Sequence, residues 1–290
     1  MQIRAPYGKV YKIPSEGSAF MVYEETVGGI YIRHAILDNP TDRGFALHIH
    51  DECEIYFFVS GDVDYLVEGT RYPLEENSLM IMRPSELHTP RFTGSSTYER
   101  YALIFPVSII KEFDPKLSLL KPFFDRPLGR DNLFTKDEID VEFVKTLFRE
   151  MSEECDAYTK RMRLKTNLIT LLGVLNRSFG EKSLIKHQPE SQAERIVAFV
   201  NEHIFEKLSV SEIAEHFFLS ASQFSRVFKE ATGVSPWDYI LKKRLTAAKE
   251  MIRDGMPAQR VSAACGFSDY SVFYRAYIKN FGTPPKFKKK

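Results

Sequence analysis

The feature that most constrains this 290-residue chain is a short pattern that occurs twice near its C-terminal end. Residues 219–236 read LSASQFSRVFKEATGVSP and residues 268–285 read SDYSVFYRAYIKNFGTPP, at an offset of 49 residues. The chemically matched pairs include Ser222 with Ser271, Phe224 with Phe273, Arg226 with Arg275, Gly233 with Gly282 and Pro236 with Pro285. Two copies with the same polar, aromatic and glycine positions predict that one local structure is built twice.

The C-terminal part of the chain has the pattern of several short helices. Apolar residues at three- and four-residue steps predict helices at 191–204, 210–217, 221–231, 236–253, 257–264 and 270–280. Gly233 and Gly282 are placed to end the helices before them in the left-handed conformation that glycine tolerates. Residues 210–231 and 257–280 are therefore expected to form two helix–turn–helix units, within an all-α domain that spans residues 191–290.

The second helix of each unit has an apolar stripe and, opposite it, a stripe of hydrogen-bonding and cationic side chains. The outward stripe of the first unit holds Ser222, Ser225, Arg226 and Lys229, and that of the second holds Ser271, Tyr274 and Arg275. An α-helix fits the major groove of DNA, arginine donates two hydrogen bonds to a guanine edge, and serine and tyrosine reach bases or phosphates. Solvation alone explains one such face, but two faces at a fixed offset favour double-stranded DNA as the partner.

Charge and spacing support this interpretation. From residue 187 onward the chain carries 16 Lys+Arg and 11 Asp+Glu, although the whole chain has a formal net charge of only +1. A basic segment joined to a slightly acidic remainder is typical of a nucleic-acid-binding end. The predicted helix 236–253 would rise about 27 Å. This length is on the scale of the roughly 34 Å between successive major-groove faces, so one chain can present two reading helices to adjacent turns.

The N-terminal part has a different pattern. Residues 1–136 contain short β-rich runs such as EIYFFVSG and SLMIMRP, separated by turn-forming residues, which predict a barrel or sandwich. Residues 137–180 carry apolar residues at helical spacing and predict a bridge of two amphipathic helices, whose leucine stripe either covers the barrel or seals a homodimer. Residues 181–190 are polar and are expected to be a linker. The predicted fold class is α+β multidomain.

Two histidines and a glutamate form the strongest motif of the N-terminal part. Residues 48–61 read HIHDECEIYFFVSG, with the form H-x-H-x3-E-x6-G, and a further histidine ends the segment PSELH. The pattern resembles the two motifs of the cupin barrel, which implies that four side chains converge inside it: His48, His50, Glu54 and His88. Three histidines and one carboxylate also suit a transition metal, so these residues are a metal-site alternative.

Aromatic and cationic residues flank this motif. If Glu54 points into the barrel, strand alternation turns Tyr56 and Phe58 inward with it. An aromatic wall beside imidazole and carboxylate groups suits a sugar ring, whereas the simpler interpretation is that both aromatic side chains belong to the core. Arg83 and Arg91 lie on either side of His88 in the sequence and are candidates to meet an anionic effector.

The order and spacing of the repeated residues resemble the DNA-binding domain of the AraC/XylS family of bacterial transcription regulators. The resemblance covers about the last 100 residues, and GFSD at 266–269 and FGTPP at 281–285 carry it most specifically. It implies base-facing residues at Ser222, Ser225 and Arg226, and at Tyr270, Ser271, Tyr274 and Arg275. The chain departs from the family pattern at Ile278 and Lys279, where two basic residues are frequent, and at Phe287, an aromatic residue that comes one place early.

The resemblance also bears on the barrel. Sensor barrels of this family often retain a histidine motif without a metal and bind a small effector, frequently a sugar. This implies an effector site without a cofactor, formed by His48, His50, Glu54, Tyr56 and His88. The leading hypothesis is a non-enzymatic transcription regulator. Its expected partners are double-stranded DNA, a small effector such as a carbohydrate, RNA polymerase and a second copy of the chain.

Two alternatives stay open from the sequence. One is a cupin metalloenzyme fused to a DNA-binding module, and the other is a DNA-binding protein without an effector. The first residues lack the apolar stretch of a signal peptide, and the longest apolar run, around 101–110, contains Pro106 and is too short to span a bilayer. A cytoplasmic protein without membrane association is therefore expected.

Overall fold

The computed structural model describes residues 18–42, 45, 49–181 and 191–286. His48, Phe287 and most of the predicted linker lie outside the described residues. The strands within these ranges are β1 Ser18–Val27, β2 Ile30–Asp38, β3 Cys53–Ser60, β4 Val63–Val67, β5 Thr70–Pro73, β6 Ser78–Met82, β7 His88–Phe92, β8 Tyr98–Phe105 and β9 Leu133–Phe134. The helices are α1 Val107–Lys111, α2 Lys121–Phe124, α3 Val141–Ser152, α4 Ala157–Glu181, α5 Gln192–Glu202, α6 Val210–His216, α7 Ala221–Thr232, α8 Pro236–Arg253, α9 Ala258–Ala264 and α10 Tyr270–Phe281.

The strands form two antiparallel sheets that face each other. The larger has the order β1-β2-β8-β3-β6-β9 and the smaller the order β5-β4-β7. Alternation along β3 places Tyr56 and Phe58 in an inner cluster with Tyr65 of the smaller sheet, and sends Ile55 and Phe57 to the outer face. The prediction that Tyr56 and Phe58 point to the same side is thus confirmed, and we call the space between the sheets the barrel interior.

Helices α3 and α4 cover the outer face of the larger sheet. The leucine stripe of α4 is fully buried there, in one cluster with Ile55 and Phe57 of β3. Its members are Leu164, Leu168, Leu171, Leu172 and Leu175. Of the two roles predicted for this stripe, it therefore serves the intramolecular one, because its apolar surface is already used against the sheet.

The C-terminal domain consists of α5 to α10, as the sequence predicts. Serine side chains cap α5, α6, α7 and α8, and Asp269 caps α10, each by accepting hydrogen bonds from backbone N–H groups of the first turn. Gly233 and Gly282 end α7 and α10 with φ of 82° and 68°. The predicted glycine caps are confirmed, since these are left-handed conformations that a Cβ disfavours.

The fold class predicted from the sequence is confirmed: a β-sheet domain with attached helices precedes an all-helical domain with two helix–turn–helix units. Strands β1, β5, β7 and β9 and the short helices α1 and α2 have weak sequence signals and were not individually predicted. Among the described residues, no helix combines the length and apolarity needed to cross a membrane.

Candidate functional site

Helix α7 is the proposed reading helix of the first unit. Phe224 and Phe228 are fully buried in the core of that unit, at three- and four-residue spacing with neighbouring apolar residues. The opposite side of the helix therefore faces solvent. Ser222, Arg226 and Lys229 are exposed there and Ser225 is half-buried.

Helix α10 presents the equivalent face of the second unit. Phe273 and Tyr277 are buried in its core. Tyr270, Ser271 and Arg275 are exposed and Tyr274 is half-buried. Within the described ranges neither Arg226 nor Arg275 forms an ion pair, so both guanidinium groups can meet a polyanion.

The start of α10 explains the GFSD segment. Asp269 accepts hydrogen bonds from the backbone N–H groups of Ser271 at 2.7 Å and Val272 at 3.0 Å, and these bonds lower the pKa of its carboxyl group. Gly266 has φ of 74°, and a Cβ there would lie 2.4 Å from the carbonyl oxygen of Phe205. Only glycine therefore allows the turn before α10 to pack against the segment after α5.

Arg244 of α8 is a structural residue that sequence reasoning missed. Its buried guanidinium donates to the carbonyl oxygens of Ile204 at 2.7 Å and Gly266 at 2.6 Å. The first oxygen belongs to the segment that follows α5 and the second to the turn that precedes α10. Arg244 thereby fixes the orientation of the second unit relative to the first, and charge-assisted bonds to backbone oxygens suit that task.

The barrel interior brings three of the predicted effector residues together. The carboxylate oxygen Oε2 of Glu54 lies 3.0 Å from Nε2 of His50 and 3.1 Å from Nε2 of His88. Glu54 and His88 are buried and His50 is half-buried. The convergence predicted from the motif is thus observed for these three residues, whereas His48 lies outside the described residues.

The electrostatics of this cluster favour a charged carboxylate. Burial alone would raise the pKa of Glu54, but its hydrogen bonds to His50 and His88 hold that pKa well below its usual range. For His50, burial lowers the pKa and Glu54 raises it, with a net upward shift. One ligand atom from each of the three residues lies within 4.8 Å of the others, so the cluster has the donors and the spacing to hold a divalent ion.

Tyr56 belongs to a cluster of three buried tyrosines, Tyr56, Tyr65 and Tyr98, which we call the tyrosine cluster. The hydroxyl groups of Tyr56 and Tyr98 share a hydrogen bond, and the rings of Tyr56 and Tyr65 lie 4.8 Å apart. Tyr65 also stacks on His88, with 6.1 Å between ring centroids. The predicted effector residue Tyr56 is therefore connected to the His–Glu cluster through Tyr65, a residue that the motif does not contain.

Arg83 and Arg91 do not reach this interior as unpaired cations. Arg91 forms an ion pair with Asp42 at 3.1 Å, and Arg83 donates to the carbonyl oxygen of Arg126 at 3.2 Å. Both guanidinium groups thus already have partners elsewhere.

Glu68, in the turn between β4 and β5, holds the DNA-binding domain against the barrel. Its buried carboxylate accepts hydrogen bonds from Lys243 at 2.6 Å and from the hydroxyl of Tyr239, both on α8, and from Asn201 of α5 at 3.2 Å. It also accepts from the backbone N–H of Leu87 at 2.6 Å. One carboxylate therefore ties both α8 and α5 to the loop that precedes β7.

A second polar contact lies beside the His–Glu cluster. Asp51 forms ion pairs with Lys249 at 2.6 Å and Arg253 at 3.1 Å, near the end of α8. A cavity of about 320 Å³ opens there between the domains. Its lining includes His50, Asp51 and Lys249. Sequence reasoning missed this interface, because nothing in the sequence pairs residues so far apart.

Comparison with known proteins gives matches for both parts of the chain. Residues 33–171 match the AraC-like ligand binding domain and residues 213–289 match a helix-turn-helix domain. The "Probable transcriptional regulator LumQ" of Photobacterium leiognathi is 29% identical over 245 residues, which cover 84% of this chain and 92% of that protein. The HTH-type transcriptional activator RhaS of Enterobacter is 22% identical over 256 residues, 87% of this chain and 90% of that protein.

Among solved structures, ToxT from Vibrio cholerae O395 matches with a TM-score of 0.36 and 12% identity, over 89% of this chain and 95% of that chain. The matched families describe the parts of a transcription regulator and not an enzyme, which excludes the metalloenzyme alternative. With both matches in one chain, in the order that the fold shows, this protein belongs to the AraC family of transcriptional regulators, with an AraC-like ligand binding domain followed by a DNA-binding helix–turn–helix domain.

Proposed function

We propose that this regulator changes its occupancy of specific DNA sites when a small metabolite, a sugar or a related molecule, binds in the barrel interior. The proposed effector residues are His48, His50, Glu54, Tyr56 and His88. Concave sites with a few convergent polar groups among aromatic side chains are typical of small-molecule binding. The family match to a ligand binding domain supports the location.

The observation that carries this proposal is that two chain segments contact both the His–Glu cluster and the DNA-binding domain. His88 contacts Glu54, while Leu87 immediately before it is buried in the core of the first helix–turn–helix unit. His50 contacts Glu54, while Asp51 immediately after it holds the end of α8. A molecule that changes the contacts of Glu54 is therefore expected to move the segments on which the DNA-binding domain rests, and to favour one domain arrangement over another.

The proposed DNA-reading residues are those of the two exposed helix faces: Ser222, Ser225, Arg226, Lys229, Tyr270, Ser271, Tyr274 and Arg275. Helix α8 connects the two units with 18 residues, as the sequence predicts. A stiff connection of that length supports simultaneous insertion of α7 and α10 into successive major-groove faces.

We further propose that the chain acts as a homodimer, but through the outward side of α4 and not through its leucine stripe. Tyr158 is 74% exposed and Met162, one turn later, is 45% exposed. Sedimentation velocity on the full chain tests this. Replacement of both residues by glutamate should shift a dimer to monomer, and an unchanged sedimentation coefficient would contradict this surface.

The proposed function is tested by in vitro selection of DNA sites followed by affinity measurements with and without candidate sugars. Coupling between two sites in one protein is typically about 1–3 kcal/mol, or about 5–150-fold in affinity. The His88→Gln variant should bind the selected DNA but lose the response to the effector. If no effector that binds the barrel alters DNA affinity, the regulatory coupling is wrong.

A further inference from the structure

Two arginines face the barrel interior from neighbouring strands. In the register of β2 with β8, Ala35 lies opposite Arg100 and Arg33 lies opposite Ala102. Ala35 and Tyr98 belong to the inner cluster, and residues two apart on a strand share a face. Arg33 and Arg100 are therefore diagonal neighbours on the inner face, at a spacing of roughly 7 Å that lets both side chains reach one small molecule.

Both guanidinium groups have unsatisfied hydrogen-bonding capacity. The Nε atoms of Arg33 and Arg100 are buried and have no hydrogen-bond partner among the residues that the structure describes. In the described part of the chain Arg100 forms no ion pair, and its guanidinium lies instead 5.5 Å from the ring centroid of Tyr56 and 5.9 Å from that of Phe45. Within the same ranges, Arg33 forms one long ion pair, with 3.9 Å between its guanidinium and the carboxylate of Glu24.

The neighbouring groups do not neutralise Arg100. Burial raises the pKa of Tyr56, Tyr65 and Tyr98, so their hydroxyl groups stay protonated and uncharged at neutral pH. The carboxylate of Glu54 also attracts Arg100, but it is already hydrogen-bonded to His50 and His88. Arg100 is partly exposed, but its guanidinium lies among aromatic rings, and a cation in such surroundings without a hydrogen-bonded counter-charge is costly.

We propose that the effector carries an oxyanion, a carboxylate or a phosphate, which Arg100 and Arg33 bind. The planar guanidinium group donates two parallel hydrogen bonds to such groups, and its charge is permanent. The tyrosine cluster lies beside Arg100 and offers ring faces and hydroxyl groups to the rest of the molecule. This inference rests on the proposed function, because it uses the same barrel interior. It narrows the class of effector from any sugar or related molecule to one that carries an acidic group.

The test is thermal denaturation of the 290-residue chain during titration with a salt at matched ionic strength. The salts are sodium acetate, sodium phosphate and sodium chloride, and a second comparison sets D-glucuronate against D-glucose. An oxyanion that binds only the folded state should raise Tm by about 2–4 °C once its concentration is several times Kd. A larger rise in Tm with acetate and glucuronate than with phosphate indicates a carboxylate on the effector, and the opposite order indicates a phosphate. Arg100→Gln and Arg33→Gln should each remove the rise, and Arg91→Gln, whose guanidinium is paired with Asp42, should keep it.

A second measurement separates a binding role from a structural one. Because Arg100→Gln removes an unpaired cation, the ligand-free variant should melt no lower than the parent protein. Equal Tm in acetate, phosphate, glucuronate and chloride, or a rise that persists in Arg100→Gln, would overturn the oxyanion site. If oxyanions bind through Arg100 but leave DNA affinity unchanged, the oxyanion site is correct and the regulatory coupling is wrong. If a neutral sugar alters DNA affinity equally in the parent protein and in Arg100→Gln, the regulatory coupling is correct and the oxyanion site is wrong.

Discussion

The arginine side chains differ in their surroundings: some are exposed without an ion pair among the described residues, and others are buried in an ion pair. Arg226 and Arg275 are exposed, occupy equivalent positions in the repeat and form no ion pair among the described residues. Arg126 is the opposite case, because its guanidinium is buried with the equally buried carboxylate of Glu86 at 2.7 Å. The surroundings of each arginine, and not its charge, decide its role.

Arg226→Ala and Arg275→Ala should each weaken binding to a selected DNA site by about 1–3 kcal/mol and relax the preference for one base pair. Fluorescence anisotropy on the selected site and on variants with single base changes measures both effects. Lys145→Ala, which removes a cation from a half-buried position on α3 outside the DNA-binding domain, is the control and should bind normally. Unchanged affinity and base preference in both arginine variants would contradict their assignment as base-reading residues.

The Glu86–Arg126 pair should make stability depend on pH. Burial would raise the pKa of Glu86, but Arg126 lowers it to about 2 from an ordinary value of 4.5. A lowered carboxyl pKa contributes stability that is complete above about pH 4.5 and is lost as pH falls toward about 2. The difference in Tm between the parent protein and Glu86→Gln should therefore shrink across this range.

Two variants sharpen this measurement. Arg126→Met should cost about 3–5 kcal/mol at neutral pH, because it leaves a buried carboxylate without its partner. Glu75→Gln removes a surface pair with Lys136 at 3.6 Å, in which Glu75 is 73% exposed, and should leave Tm nearly unchanged. A difference between the parent protein and Glu86→Gln that does not vary with pH would argue against a charged Glu86 in the folded state.

At the scale of elements, the helices of the C-terminal domain are delimited by local chemistry. Serine caps begin α5 to α8 and Asp269 begins α10, and left-handed glycines end α7 and α10. These signals act within a few residues, so the predicted and observed bounds agree within two residues, and α8 spans 236–253 in both. Helix α4 differs, because the sequence predicts that its leucine stripe is buried but not which surface buries it.

Gly282→Ala should lower the stability of the DNA-binding domain by about 1–2 kcal/mol, because a Cβ is disfavoured in the left-handed conformation even where no atom crowds it. The added methyl group would meet nothing within 4 Å, so the backbone conformation alone accounts for the cost. Gly173→Ala in α4 is the matched control. Its Cβ also meets nothing within 4 Å, and it should stabilise by about 0.5–1 kcal/mol. Chemical denaturation measures the free energy of unfolding of both variants. A Gly282→Ala variant as stable as the parent protein would contradict the strain argument.

At the scale of the whole molecule, buried polar contacts hold the two domains in one arrangement. Glu68 receives hydrogen bonds from α5 and α8, and Asp51 pairs with the end of α8. These contacts engage α8, the helix that spaces the two reading helices. Under the proposed function, rearrangement of these contacts is the most direct route from the barrel to the reading helices.

Glu68→Gln should loosen this arrangement, because Lys243 would remain buried without a counter-charge. The expected loss is about 3–5 kcal/mol of domain docking, seen as a separate, earlier unfolding transition of the DNA-binding domain. The double variant Glu68→Gln, Lys243→Met should recover part of the loss, since it removes the unpaired cation. A single cooperative transition in Glu68→Gln, at the parent Tm, would show that Glu68 does not hold the domains together.

Short-range periodicity predicts the paired helix–turn–helix units, their glycine caps and outward arginines, and the shared direction of Glu54, Tyr56 and Phe58. These features follow from helix and strand geometry over a few residues. The remaining points depend on contacts between distant parts of the chain. The leucine stripe of α4 covers the barrel, and Glu68 and Asp51 hold α8. Arg100 lies on the inner face without an ion pair among the described residues, whereas Arg83 and Arg91 have partners elsewhere. The reason is that pairing between charges depends on distances across the fold, and residues more than a hundred positions apart leave no mark of their contact in the order of the chain.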